Sequence, residues 1–365
     1  MPVIAPFGHP FYVMAKPLGS SCNLNCSYCY YLTKGNGRMD ETLLEEFTKQ
    51  FIEAQTQNEI LFTWHGGEPL LLPINYYARA IELQQKYAGG RHIDNCLQTN
   101  GTLITDDWCR FFKANNFLVG VSIDGTKDMH EHFRQQFDNT LRGIELLKKH
   151  DVQWNAMATV NSYNAEQPKE FYRFFKEIGC QYLQFTPVVE RNEDGVVTSE
   201  SVTPEQWGNF LIGVFDEWIK EDVGIVYVQL FDATLANWLG VEPGVCSMSE
   251  VCGFSPALQP DGELYSCDHF VFPEHKLGNI KERNITELYY SDKQRQFGQQ
   301  KHTLLSRKCR ECNYLFACHG ECMRNRFLKD HENYLCEGYK KFFSHVTPTM
   351  NDMAEEIIAS RKESF

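Results

Sequence analysis

Ser21-Cys22-Asn23-Leu24-Asn25-Cys26-Ser27-Tyr28-Cys29-Tyr30-Tyr31 carries three cysteines spaced C-x3-C-x2-C, and the next cysteine in the chain is Cys96. Three thiolates hold three corners of a four-iron, four-sulfur cube and leave the fourth iron open. An open position on a redox-active cluster is a place for a substrate or cofactor to bind. A structural zinc ion would need a fourth protein ligand to close its tetrahedron. The segment therefore predicts a cluster that takes part in chemistry.

On either side of this segment the chain alternates short apolar runs with amphipathic ones. Strands are expected over Val13–Lys16, Ile60–Trp64, Ile93–Thr99, Phe117–Ile123, Val152–Val160 and Tyr182–Thr186. Helices are expected over about 40–57, 74–88, 105–115, 137–150, 167–178 and 204–221, with Thr105-Asp106 and Thr203-Pro204 as starts. Strand-then-helix units in series predict an α/β fold with a parallel sheet, a partial (β/α)6 TIM-like barrel. In such folds chemistry gathers in the loops beyond the carboxyl ends of the strands. The polar motifs fall there: Cys22 to Cys29, Gly66-Gly67-Glu68-Pro69, Thr99-Asn100-Gly101, Ser122 to Asp124, Asn161 and Pro187 each follow a strand.

The chain has 365 residues, enough for one large domain and a smaller one. A net charge of −13 argues against a nucleic-acid partner, which needs clustered Lys and Arg. No apolar run is long enough for a membrane span. The first residues lack the basic and apolar regions of a signal peptide, so most of the 14 cysteines read as cluster or metal ligands in a reducing cytoplasm.

After about residue 235 the texture changes, with eight cysteines between 246 and 336 among turn residues. The expected domains are 1–235 and 236–365, the second organised by metal ligands and closed by a helix from about 339. Phe342, Phe343, Val346 and Met350 form that helix's apolar stripe. From the residues alone the eight cysteines suit iron–sulfur clusters or zinc. The three left over, Cys96, Cys109 and Cys180, are expected to be small buried apolar groups.

The cysteine triad, the aromatic Tyr30 after it and Gly66-Gly67-Glu68-Pro69 at a strand end together resemble the radical S-adenosylmethionine (SAM) superfamily. That resemblance implies that Cys22, Cys26 and Cys29 hold a [4Fe-4S] cluster that binds SAM. It implies further that Gly66, Gly67, Glu68 and Asn100 lie along the SAM site. Ser122 and Arg134 would anchor the SAM carboxylate and ribose, Tyr28 would present its backbone to the adenine, and Val189 would line the pocket. The bland alternative makes Ser122 a strand end and Arg134 a surface residue.

The spacing Cys246-x5-Cys252-x14-Cys267, then Cys309-x2-Cys312-x5-Cys318-x3-Cys322, then Cys336 resembles the SPASM-type auxiliary domain. By that resemblance Cys246, Cys252, Cys267 and Cys322 hold one further cluster. Cys309, Cys312, Cys318 and Cys336 hold another, for three [4Fe-4S] clusters in all.

Within that group the chain is most similar to the anaerobic sulfatase-maturating enzymes. The likeness is carried by Leu97-Gln98-Thr99-Asn100-Gly101-Thr102, Ser122-Ile123-Asp124-Gly125, Cys267-Asp268-His269-Phe270-Val271 and Leu277-Gly278-Asn279-Ile280. It implies oxidation of a Cys or Ser in a sulfatase segment to Cα-formylglycine, with Asp268 as general base and a flavodoxin or ferredoxin as electron donor. Alternatives are a maturase that crosslinks a small precursor peptide and a non-catalytic iron–sulfur electron carrier. The early first strand weighs against the peptide-leader module many such maturases carry, and the Gly-Gly-Glu-Pro turn has no use in a carrier.

Two departures stand out. Only Gln135 and Gln136 separate Arg134 from Phe137, so this loop is either naturally short or lacks a mobile segment. His65 replaces a Gln found in some relatives.

Overall fold

Six of the expected strands and six of the expected helices are present, within a few residues at each end. The computed structural model describes residues 11–31 and 35–363. Its strands are β1 (Met14–Ala15), β2 (Glu59–Trp64), β3 (His92–Thr99), β4 (Phe117–Ser122), β5 (Trp154–Val160), β6 (Tyr182–Pro187), β7 (Tyr227–Val228), β8 (Ala257–Leu258), β9 (Glu263–Tyr265) and β10 (Lys276–Asn279). The chain divides into two compact units. One comprises the chain up to Ser122 with Arg134–Asn155 and Gly253–Gly298; the other comprises Ile123–Phe133, Ala156–Cys252 and the chain from Gln299.

In the first unit β1, β2, β3 and β4 pair in parallel, with Phe62 opposite Asn95 and Gln98 opposite Gly120. On the outer side of β1, β8 pairs in parallel and leads into the antiparallel β9 and β10. Parallel strands need crossover helices, and these supply the apolar cover. Asp40 and Thr105 cap two of them, each accepting a backbone N–H three residues on. The helices press Phe47, Phe51, Tyr77, Trp108 and Phe112 toward Phe62 and Trp64 of β2, all buried. Phe51 and Phe62 meet edge to face at 4.6 Å. With one face sealed by aromatics, the loops at the carboxyl ends carry the unpaired polar groups.

In the second unit β5, β6 and β7 run in parallel, with Ala158 opposite Phe185 and Leu183 opposite Val228. The helix Pro204–Glu221 opens with a full capping box between Thr203 and Gln206. It packs on the long helix Cys336–Glu363. Phe342, Phe343, Val346 and Met350 are fully buried, as their spacing implied. The tail helix starts at Cys336, three residues earlier than expected.

The helices Lys127–Phe133 and Gln229–Trp238 and the strands β7 to β10 were not foreseen. Strands of two to four residues are too short to show a period of two, so turns masked them. The helix Gln229–Trp238 runs through the point at which the composition changes.

Candidate cluster and cofactor site

The loop after β1 is built against the Gly-Gly turn after β2. Gly66 has a φ of +128°, and a Cβ on Gly67 would sit 2.0 Å from the Ser21 carbonyl oxygen. Glycine is required there because backbone meets backbone. Gly67 N–H donates to the Gly19 carbonyl at 2.7 Å, and Glu68 N–H to that of Ser21 at 2.8 Å. The turn thereby fixes the chain leading into Cys22.

Glu68 is fully buried, and both carboxylate oxygens are engaged. Oε1 accepts from Leu70 N–H at 2.9 Å and Thr99 Oγ1 at 2.7 Å, while Oε2 accepts from Asn100 N–H at 2.7 Å. Burial raises its pKa against those donors. Asn100 then reaches back to the cysteine loop. Its Nδ2 donates to Asn23 Oδ1 at 2.8 Å and lies 3.8 Å from Cys22 Sγ, and Leu24 N–H donates to the same sulfur at 3.4 Å. Burial pushes the Cys22 thiol up, while those N–H donors and the Arg134 charge pull it down. N–H groups aimed at sulfur favour the thiolate, the form that ligates iron.

Among the other expected site residues in this unit, Arg134 donates from Nη1 to the Tyr28 hydroxyl at 3.2 Å, a contact the sequence did not indicate. Gln136, with a φ of +63°, leads directly into the helix Phe137–Lys149. Ser122 ends β4. Val189 belongs to the second unit and is buried just after β6.

Asp268 opens a short turn after Cys267 in the first unit. It is ion-paired with the fully buried Lys16 and accepts a hydrogen bond from the Tyr30 hydroxyl. Burial raises the Asp268 pKa, but the Lys16 ammonium, through its charge and its hydrogen bond, outweighs it with help from His269. The carboxyl is held well below its usual range. Lys16 Nζ also lies 3.7 Å over the Tyr31 ring, whose hydroxyl donates to Gln259 Oε1 at 2.8 Å. His65 accepts the Gly66 N–H at 2.7 Å on Nδ1. Burial and the nearby Lys16 lower its pKa to about 4, so the ring is neutral. The parts played by Lys16 and Tyr30 were missed from sequence. A lysine closing an apolar strand, and a tyrosine following a ligand cysteine, were the available signals.

None of the fourteen cysteines is in a disulfide. Cys109 and Cys180 are buried as expected, but Cys96 is only half-buried. It alternates on β3 with the buried Asn95 and Leu97, so it faces the other side of the sheet. Its sulfur lies 3.2 Å from Thr63 Oγ1.

In the second unit Cys309, Cys312, Cys318 and Cys336 line a cavity of about 530 Å³ with Tyr314, Tyr339 and Phe343. Burial pushes the Cys318 thiol up to about 12 and that of Cys336 to about 11. Close to Cys246, Cys252 and Cys322 stand two buried cations, Lys301 and Arg326. Lys301 Nζ donates to the carbonyls of Cys246 and Ser247. Arg326 donates to the carbonyls of Gly320 at 2.8 Å, His319 at 2.6 Å, Glu321 at 3.1 Å and Lys301 at 2.5 Å. A buried cation held by carbonyls alone is costly unless an anion is near. The buried Glu321 carboxylate is one such anion beside Arg326, and thiolates on a cluster are the anion near Lys301, so these residues fit that group.

Residues 17–175 match the radical SAM superfamily and residues 251–313 match SPASM, an iron–sulfur cluster-binding domain. The class is thereby defined: a radical SAM enzyme with an auxiliary iron–sulfur domain, working with iron–sulfur clusters and SAM. A serine-type anaerobic sulfatase-maturating enzyme of Bacteroides thetaiotaomicron is 51% identical over 97% of this chain and 94% of its own. A cysteine-type one of Clostridium novyi is 34% identical over 91% and 94%. A solved structure, native anSMEcpe with bound AdoMet and Cp18Cys peptide, is 32% identical. It covers 95% of this chain and 100% of its own, with a TM-score of 0.88. The chain belongs to the anaerobic sulfatase-maturating enzymes. Among the described residues no helix is long and apolar enough to cross a membrane.

Proposed function

We propose that this protein oxidises a Cys or Ser in the active-site segment of a sulfatase polypeptide to Cα-formylglycine. The observation that carries the reading is the Lys16–Asp268–Tyr30 group, which shares a compact unit with the Cys22–Cys29 loop and the Gly66–Pro69 turn. Cys22, Cys26 and Cys29 hold the cluster that binds SAM. Tyr28, Gly66, Gly67, Glu68, Asn100, Ser122 and Arg134 form or support the SAM site. When bound, cluster and SAM supply hydrogen-atom abstraction from the substrate Cβ.

The chain's own residues do the rest. Asp268 accepts the proton of the substrate thiol or hydroxyl. The Lys16 ammonium, paired with Oδ1, keeps that carboxylate ionised before substrate arrives, and the Tyr30 hydroxyl donates to Oδ2 and holds the carboxylate in place. Neutral His65 adds no positive charge near the substrate sulfur or oxygen.

The eight cysteines from Cys246 to Cys336 hold two further [4Fe-4S] clusters, for three in all. A low-potential donor of the flavodoxin or ferredoxin kind supplies electrons, and the enzyme works in the cytoplasm. The radical SAM part spans 1–235 and the auxiliary part 236–365. The test is anaerobic incubation of the reconstituted protein with SAM, dithionite and sulfatase peptides carrying Cys or Ser at the target position, followed by mass spectrometry. An aldehyde at that residue is expected. A crosslinked peptide, or 5′-deoxyadenosine with no modified peptide, would overturn the reading.

A further inference from the structure

We infer that Gln98 is a positioning residue: it turns the Ser122 hydroxyl into a one-way donor aimed at the carboxylate of SAM. The inference rests on the reading of Ser122 as a SAM contact. Gln98 stands on β3 opposite Gly120 of β4. Its amide passes over Gly120 and donates from Nε2 to Ser122 Oγ, two residues along β4, at 2.9 Å.

The crossing is possible only because residue 120 lacks a side chain. A Cβ there would lie 2.0 Å from Gln98 Oε1 and 3.0 Å from its Cδ. It would also lie 3.0 Å from Asn155 Oδ1, a buried acceptor with no partner of its own. This face of the sheet thus gathers more polar atoms than the chain itself satisfies. Buried polar groups are rarely left so unless a ligand or water completes them.

A serine hydroxyl has one donor and two acceptor positions. Left alone it rotates among neighbours. The N–H of Gln98 occupies one acceptor position, so the Ser122 proton must point away from the amide. A carboxylate is the strongest acceptor it can meet, because a charged acceptor roughly doubles such a bond. Gln98 need not touch SAM to act.

The experiment uses the anaerobically reconstituted protein without reductant, so that SAM is bound and not cleaved. Affinities for SAM and for decarboxylated SAM are measured by equilibrium dialysis for the wild type, Gln98→Leu, Gly120→Ala, Ser122→Ala and the Gln98→Leu/Ser122→Ala double variant. Gly120→Ala keeps both polar residues and displaces chiefly the Gln98 amide, the Asn155 amide being the other group it presses. Gln98→Leu and Gly120→Ala should each weaken SAM about 3–10-fold, the size of one hydrogen bond. Decarboxylated SAM should be unaffected, and the double variant should be no worse than Ser122→Ala. Equal weakening of both cofactors would show a packing role and overturn the inference, as would no weakening at all. If Ser122→Ala itself leaves the preference for the carboxylated form intact, the reading of Ser122 is what fails.

Discussion

Replacing Arg326 with Met removes a planar five-donor group that holds four carbonyl oxygens, those of Lys301, His319, Gly320 and Glu321. Three of these residues, His319, Gly320 and Glu321, have φ values of +45°, +71° and +55° and lie between Cys318 and Cys322. For a residue with a Cβ that conformation costs about 1 kcal/mol or more. Arg326 is the group that meets this cost, since each bond to a charged donor contributes roughly 1.5–3 kcal/mol. The four do not add, because the freed turn relaxes and its carbonyls find water. A local loss of about 3–5 kcal/mol is expected, as for one partner of a buried charged pair. That is a large part of a typical total of about 5–15 kcal/mol. Cys318 and Cys322 should then lose their placement, and iron should fall by about four to eight atoms per chain, one or two cubes. Iron and sulfide analysis after anaerobic reconstitution, with thermal unfolding alongside, reads both effects. Arg326→Lys should recover only part of the loss, because an ammonium cannot fork across four acceptors. Full iron and unchanged unfolding in Arg326→Met would refute the reasoning. Full recovery in Arg326→Lys would show that charge alone is what the site needs.

Changing Cys22, Cys26 and Cys29 together to Ala should lower iron from about twelve to about eight atoms and abolish SAM cleavage, by iron analysis and 5′-deoxyadenosine assay. Asp268→Asn keeps the shape and loses proton acceptance. The ratio of aldehyde to 5′-deoxyadenosine should fall roughly 10²–10⁴-fold with iron unchanged, and an unaltered ratio would reduce Asp268 to a loop residue. Glu68→Gln must set an amide N–H against a backbone N–H or the Thr99 hydroxyl, whichever way it turns. A loss of about 1–3 kcal/mol in stability and weaker SAM binding are expected by calorimetry.

How much could be read in advance depended on repetition. The strands β2 to β6 and the helices between them show long apolar periods, and caps such as Thr105 and Thr203 are local signals. The cysteine spacings and the Gly-Gly turn were legible because their chemistry dictates residue types at short range. What was hidden is long-range. Lys16 meets Asp268, Glu68 meets Asn100 and Gln98 meets Ser122 across strands that a one-dimensional pattern does not register. Cys96 was misjudged for a related reason, since a strand buries one face and cysteine type alone does not say which.

The buried cations bring these findings to one physical point. A chain of net charge −13 has cations to place at its surface, yet Lys16, Lys301 and Arg326 are withdrawn from water. Desolvating a cation is unfavourable, and burial lowers the pKa of both Lys301 and Arg326. Lys16 has a carboxylate partner in Asp268. Lys301 and Arg326 reach carbonyls; the buried Glu321 carboxylate stands near Arg326, and Cys246, Cys252, Cys309, Cys318 and Cys322 add negative charge once those sulfurs are thiolates. Beyond what Glu321 gives Arg326, their cost is offset when the cysteines are ionised, which is the state that binds iron. Folding of this region and cluster assembly are therefore coupled, and removal of iron should loosen the second unit before the aromatic core of the first.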